Sequence, residues 1–153
     1  MFKNILWVTD FSPHAADAGR QALECALCSH ASVDVLTVVD PEDLPADLLD
    51  AADPFVSANT VVAVERRLTK QHEDRVRAHL HREIEFLRDA GVSVQLHVRA
   101  GQPSEEIVAA ARDLGSEIIV MGAHGKRGLA SVLLGNTVEG VTKRADRPVL
   151  VVR

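Results

Sequence analysis

Basic residues are outnumbered, a long apolar run is missing and cysteine is scarce, and each shortage removes a class of function. Seventeen Lys and Arg stand against 22 Asp and Glu, a formal net charge of −5. A nucleic-acid or anionic-membrane surface needs a basic excess. No segment approaches the ~18 consecutive apolar residues of a membrane span. Ile5 to Val8 is too short, and too soon followed by Asp10, to read as a secretory signal. A cytoplasmic protein that engages neither nucleic acid nor membrane is expected. The two cysteines, Cys25 and Cys28, form a C-x-x-C inside an apparent helix. A thioredoxin-like pair sits at a helix N-terminus instead, and zinc would need two more ligands where only His30 is near. Two small buried thiols are the expectation. His72, His79 and His81 lie on a charged helix and are expected at the surface.

Two familiar glycine loops are also missing. In a Walker A loop, Gly-Lys is followed by Ser or Thr and preceded by a glycine five residues back. Here Gly125-Lys126 is followed by Arg127, and Val120 occupies the earlier position. A dinucleotide fingerprint would place Gly-x-Gly-x-x-Gly after the first strand, where the chain has Thr9-Asp10-Phe11-Ser12.

What is present runs from Glu117 to Val138, EIIVMGAHGKRGLASVLLGNTV. Ile118 to Met121 reads as a short buried strand. Glycines follow at 122, 125, 128 and 135, with Lys126 and Arg127 between them, and a helix begins at Asn136. Glycine lets backbone N–H groups approach oxyanions closely, and the unpaired amides of a helix N-terminus attract negative charge. On spacing alone the stretch is either a phosphate cradle or a glycine-rich surface loop.

The rest of the chain alternates strands and helices. Residues 3–9 and 33–39 read as strands apolar on both faces, as in a parallel sheet. Ser12 is placed to cap a helix with Pro13 at its first position, running to about residue 30 with small or apolar residues at 15, 18, 22, 25, 26 and 29 on one face. Residues 41–58 hold three prolines and read as a loop with one helical turn near Asp47 to Ala51, serving as a lid or a partner surface if ordered. One long amphipathic helix is predicted from about Thr60 to Ala90, its apolar positions at 61, 64, 68, 76, 80, 84 and 87, with His72 taking one turn of the stripe and Gly91 closing it. Val92, Val94, Leu96 and Val98 alternate with polar residues, the mark of a strand with one wet face or at a sheet edge. Gly101-Gln102-Pro103 opens a helix with Glu105 and Glu106 in its first turn and Gly115 beyond its end. The helix from Asn136 contains Gly140, which weakens it, and Pro148 to Val152 is the last strand. Strands and helices at this spacing give a three-layer α/β sandwich, a parallel sheet with helices on both faces, in one domain over residues 1–153.

Five fragments in order make the chain resemble the universal stress protein family, the small UspA-type domain. They are Asn4 to Ser12 (NILWVTDFS), Leu36 to Asp40 (LTVVD), Gly101-Gln102-Pro103, Ile119 to Gly125 (IVMGAHG) and Arg147 to Val152 (RPVLVV). The family's nucleotide-binding branch carries Gly-x2-Gly-x9-Gly-(Ser/Thr) after its fourth strand, and here Gly122, Gly125 and Gly135 match, with Asn136 where Ser or Thr is usual. The resemblance implies a five-stranded parallel sheet of order 3-2-1-4-5, Rossmann-like, so that Asp10 and Gly122 leave adjacent strands where the order reverses. Ligands bind at such crevices. It also implies ATP as ligand, with AMP or ADP as alternatives and Mg²⁺ or Mn²⁺ accompanying the phosphates, and a homodimer joined through strand 149–152. Thr9 and Asp10 would flank the adenosine, and the Val38 backbone would read the ring edge. Met121, Gly122, His124 and Gly125 would line ribose and first phosphate, while Gly135, Asn136 and Thr137 would hold the terminal phosphates. From the residues alone, Asp10 could equally be a turn residue, Val38 core packing, His124 a polar loop residue, and Lys126 and Arg127 either a phosphate clamp or solvent-facing. A nucleotide-dependent regulatory module is the function implied; a slow ATPase and a nucleotide-free dimeric interaction protein are the alternatives.

Overall fold

The computed structural model describes residues 1–40, 58–125 and 134–153. Five strands, β1 (Asn4–Val8), β2 (Ser32–Val39), β3 (Val94–Ala100), β4 (Ile118–Gly122) and β5 (Val149–Val152), form one parallel sheet of order β3-β2-β1-β4-β5. The helices are α1 (Pro13–Ser29), α2 (Ala58–Glu83), α3 (Glu85–Asp89), α4 (Pro103–Asp113) and α5 (Asn136–Arg144).

Two cores, one on each face, make the three layers. Ile5 and Trp7 of β1, Val33 and Val35 of β2 and Ile118 and Val120 of β4 pack with Ala18, Ala22 and Ala26 of α1 and with Leu80, Ile84 and Leu87. The alternate residues Leu6, Leu36, Ile119 and Met121 pack with Ile107, Val108 and Ala111 of α4 and Val138 and Val141 of α5. Strands buried on both faces therefore alternate between cores rather than between core and water.

Local signals place the helices. Ser12 Oγ accepts the Ala15 N–H at 3.2 Å, capping α1 in front of Pro13, and Gln102 caps α4 by accepting the Glu105 N–H at 2.9 Å. Gly140 has a packing reason. A β-carbon there would lie 2.7 Å from the Ser104 side chain, so the glycine lets α5 rest directly on α4.

Four expectations need correcting. The predicted 60–90 helix is two helices, broken at Ile84, whose φ of −98° and ψ of 0° leave the α-helical region. His72 is exposed and takes no turn of the buried stripe. The thiols are not buried, for Cys25 is half-exposed and Cys28 exposed. Partial burial, with the neighbouring Cys28 and Glu24, still pushes the Cys25 thiol pKa up, the opposite of an activated thiolate. Finally, β2 is not apolar throughout, because Asp34 sits in it almost fully buried. The helical turn expected near residues 47–51, and Lys126 and Arg127, lie outside the described residues.

Asp34 is satisfied by partners distant in sequence. Its carboxylate accepts from Asn4 Nδ2 at 2.7 Å and meets His97 Nε2 of β3 at 2.7 Å, and Asn4 also donates to the Leu114 carbonyl. The cluster ties the edge strand to β1 and β2. Asp34→Ala should cost about 2–3 kcal/mol in urea denaturation, because two part-buried partners lose their acceptor. Asp34→Asn keeps one acceptor oxygen and should cost less; an alanine variant as stable as wild type would show the cluster to be idle.

Candidate functional site

The strand order reverses between β1 and β4, and the loops leaving these two strands meet there. The β1 loop is built by its own polar side chains. Thr9 is buried, donates its N–H to the Leu36 carbonyl at 2.9 Å, and accepts the Phe11 N–H on Oγ1 at 3.1 Å. Asp10 Oδ1 accepts the Ser12 N–H at 3.0 Å, an Asx-turn that fixes the carboxylate at the end of the strand.

Asp10 faces Gly125 across the seam. A β-carbon placed on Gly125 would lie 2.6 Å from Asp10 Oδ2, so the two loops approach as closely as they do only because residue 125 has no side chain. Gly122, at the end of β4, packs its α-carbon against the first turn of α1, where a β-carbon would lie 2.6 Å from the His14 carbonyl carbon. Ser12 Oγ reaches the His124 carbonyl at 3.4 Å, a second link between the loops.

The third glycine closes the site. Gly135 N–H donates to the Ala123 carbonyl at 3.1 Å, which brings the start of α5 against the β4 loop. Gly135 is the N-cap of α5 and supplies no side-chain cap, while the first helical bond is Glu139 N–H to Gly135 O at 2.9 Å. The first-turn amides of Asn136, Thr137 and Val138 therefore have no helical acceptor, which is the ordinary basis of anion binding at a helix start. Asn136 is exposed and Thr137 half-buried beside them.

Val38 enters from the other side of β1. Pairing of β1 with β2 ends at Val8 and Leu36, and the Thr9 carbonyl is taken by the Thr37 hydroxyl at 2.9 Å. Val38 thus lies on β2 beyond the last rung with β1, its side chain half-buried against the α4 and α5 core. Met121 is a core residue of β4, paired with Val8 and Val151. Thr9, Asp10, Gly122, His124, Gly125 and Gly135 are brought together directly; Val38, Asn136 and Thr137 border them, and Met121 supports the β4 end from within.

The sequence reading missed three residues. Thr37 fixes Thr9, and Ser12 bridges to His124 in addition to capping. The His14 ring lies 5.3 Å from that of His124, and its buried Nδ1 has no hydrogen-bond partner. Thr37, a hydroxyl among the apolar residues of β2, and Ser12, already legible as a cap, carried some signal. Among the described residues no group of three or more His, Cys, Asp and Glu is placed to hold a metal ion, and no helix is long and apolar enough to cross a membrane.

A five-stranded parallel sheet of order β3-β2-β1-β4-β5 with helices on both faces, its β1 and β4 loops meeting where the order reverses, defines a Rossmann-like α/β protein. The chain matches the universal stress protein family over residues 1–153 and belongs to that family. Universal stress protein MJ0577 of Methanocaldococcus jannaschii is 33% identical over 155 residues, spanning 100% of this chain and 96% of the relative. The solved structure of MJ0577 superimposes with a TM-score of 0.84 at 32% identity, covering 99% of this chain and 96% of that one. A universal stress protein solved in complex with cAMP has a TM-score of 0.65 at 20% identity, covering 99% and 97% of the two chains. The universal stress protein from Archaeoglobus fulgidus solved in complex with dAMP has a TM-score of 0.61 at 17% identity, covering 100% and 98%. At those identities the last two share the architecture.

Proposed function

We propose that this protein binds an adenine mononucleotide, ATP ahead of ADP or AMP, between the β1 and β4 loops and acts as a nucleotide-dependent stress-response module in the cytoplasm. One observation carries the reading: the Asp10 carboxylate lies so close to Gly125 that no side chain fits between them, and both sit beside a start of α5 that Gly135 leaves without a side-chain cap. Two proteins of the same architecture, solved with cAMP and dAMP, support the adenine nucleotide as the ligand class.

Thr9 and Asp10 would flank the adenosine, and the Val38 backbone, past the end of its pairing with β1, would read the ring edge. Gly122, His124 and Gly125 would line the ribose and first phosphate, with Met121 beneath them. Gly135, Asn136 and Thr137 would take the terminal phosphates on backbone amides and side-chain donors; asparagine replaces a hydroxyl there, and its amide still donates. Mg²⁺ or Mn²⁺ fits as a companion of the phosphates, held by their oxygens and by water, since the described residues offer no ligand cluster of their own.

Calorimetry with ATP decides the matter. Stoichiometric binding is expected, with phosphate release no faster than in buffer. Purified protein that takes up no adenine nucleotide would leave a nucleotide-free interaction protein. Asp10 is the candidate general base of the slow-ATPase reading, so phosphate release that disappears in Asp10→Ala would establish turnover. A homodimer through β5 belongs to the same proposal, since Val149 to Val152 form a wholly apolar edge strand. Light scattering at micromolar concentration should give twice the 16.6 kDa chain mass; a monomer there removes the dimer.

A further inference from the structure

Phe11 has a backbone conformation that its side chain does not favour. Its φ is +64°, in the left-handed region that bulky residues avoid, and it lies between Asp10 and the α1 cap Ser12. Among the described residues the other non-glycine with positive φ is His30, at 54°, which ends α1 as helix C-caps often do. Phe11 ends no helix. Strain of this kind persists only where the surroundings over-determine it, and it gathers at functional sites.

The surroundings of Phe11 are specific. Its N–H is held by Thr9 Oγ1 at 3.1 Å, and the next N–H, of Ser12, by Asp10 Oδ1 at 3.0 Å. Its ring stacks on the His79 imidazole of α2, with centroids 4.2 Å apart and planes inclined by 37°. His79 is followed by Leu80, fully buried in the core beneath α1, so the imidazole is presented by an anchored turn of helix. The ring also packs against the core between the sheet and α1, and the stack on His79, together with that packing, holds the left-handed bend. The bend in turn aims Asp10 Oδ2 at Gly125.

We propose that Phe11 is a positioning residue for Asp10, clamped by His79, so that α2 and the cleft between the β1 and β4 loops are linked. Released from the imidazole, Phe11 relaxes toward negative φ, and Asp10 loses its aim. By reciprocity, a ligand held on Asp10 favours the docked state of α2 around His79. The ligand half of this statement rests on the nucleotide reading above; the positioning half does not.

The test separates the two. In ligand-free protein, amide exchange of Phe11 and Ser12 is compared by NMR in wild type, His79→Ala and His79→Phe. About tenfold faster exchange is expected in His79→Ala, with the wild-type rate restored by the aromatic replacement. Phe11→Gly, which accepts the bend but has no ring, should exchange as fast as His79→Ala. Calorimetry on the same proteins should show ATP affinity about tenfold weaker in His79→Ala and near wild type in His79→Phe. Thermal midpoints of the two His79 variants should stay with wild type, because His79 is exposed. Unchanged exchange of Phe11 and Ser12 in His79→Ala overturns the positioning role, whatever the ligand. If that exchange rises while affinity does not move, the link to the cleft is overturned. Wild-type protein that binds no nucleotide sinks the functional reading and, with it, the ligand half, while the exchange data still judge Phe11.

Discussion

Gly125→Val should weaken ATP binding by about 100-fold, near 2.7 kcal/mol, with the fold intact. Residue 125 is exposed, so added bulk costs the core nothing. A β-carbon there already falls 2.6 Å from Asp10 Oδ2, and the two valine methyls would drive the carboxylate from the place its Asx-turn holds. Gly125→Ala should lose less, about tenfold, since the short Asp10 side chain can turn aside at the cost of its Asx-turn. A double-mutant cycle makes the mechanism explicit. In an Asp10→Ala background the alanine at 125 has nothing to push, so its effect should shrink, giving a coupling of about 1 kcal/mol. Wild-type affinity in Gly125→Val would place the ligand somewhere other than this cleft.

The largest loss of stability is expected from Trp7→Ala, about 4–5 kcal/mol. Trp7 has no solvent exposure, and its Nε1–H donates to the Ala15 carbonyl at 3.0 Å. Its ring lies edge-to-face with Phe86 at 5.8 Å and so close over Gly19 that a β-carbon there would lie 2.5 Å from it. One side chain thus holds β1, α1 and α3 together. Deleting it leaves a cavity bounded by three elements that cannot all close in. For a domain stable by roughly 5–15 kcal/mol, such a loss brings unfolding within reach of mild denaturant. Trp7→Phe, which keeps most of the packing and loses the hydrogen bond, should cost about 2 kcal/mol. Urea denaturation of the three proteins measures both; an alanine variant within 1 kcal/mol of wild type would contradict this account of the core.

Sequence patterns carried what depends on neighbours along the chain. Ser12-Pro13 fixed the start of α1 and Gly115 the end of α4, while the alternation from Val94 left a wet face or an edge position open, and β3 is the edge. Glycines at 122, 125 and 135 left a phosphate cradle and a surface loop both open, and the family resemblance pointed to the reversal of the sheet. What stayed hidden depends on partners far away in sequence. Asp34 looks misplaced in an apolar run until His97, 63 residues on, arrives beside it. Nothing at Ile84 announces a break, because neither glycine nor proline is there, and the interruption comes from packing. Burial of Cys28 failed as an expectation because only part of α1 touches the sheet. Phe11 is the sharpest case: no propensity places phenylalanine in a left-handed bend, so only its ring partner reveals it.

The two margins of the sheet differ in chemistry. β3 carries charged side chains: Arg99 reaches Asp113 at 2.8 Å and Glu106 at 3.8 Å on α4, and His97 meets Asp34 of β2. At β5 there are four aliphatic side chains in a row. Two copies joined at β5 would leave β3 at both outer ends, an edge strand whose charged side chains discourage a further strand. Were the proposed pair to form, growth by that route would halt there, and light scattering would show the dimer without larger species.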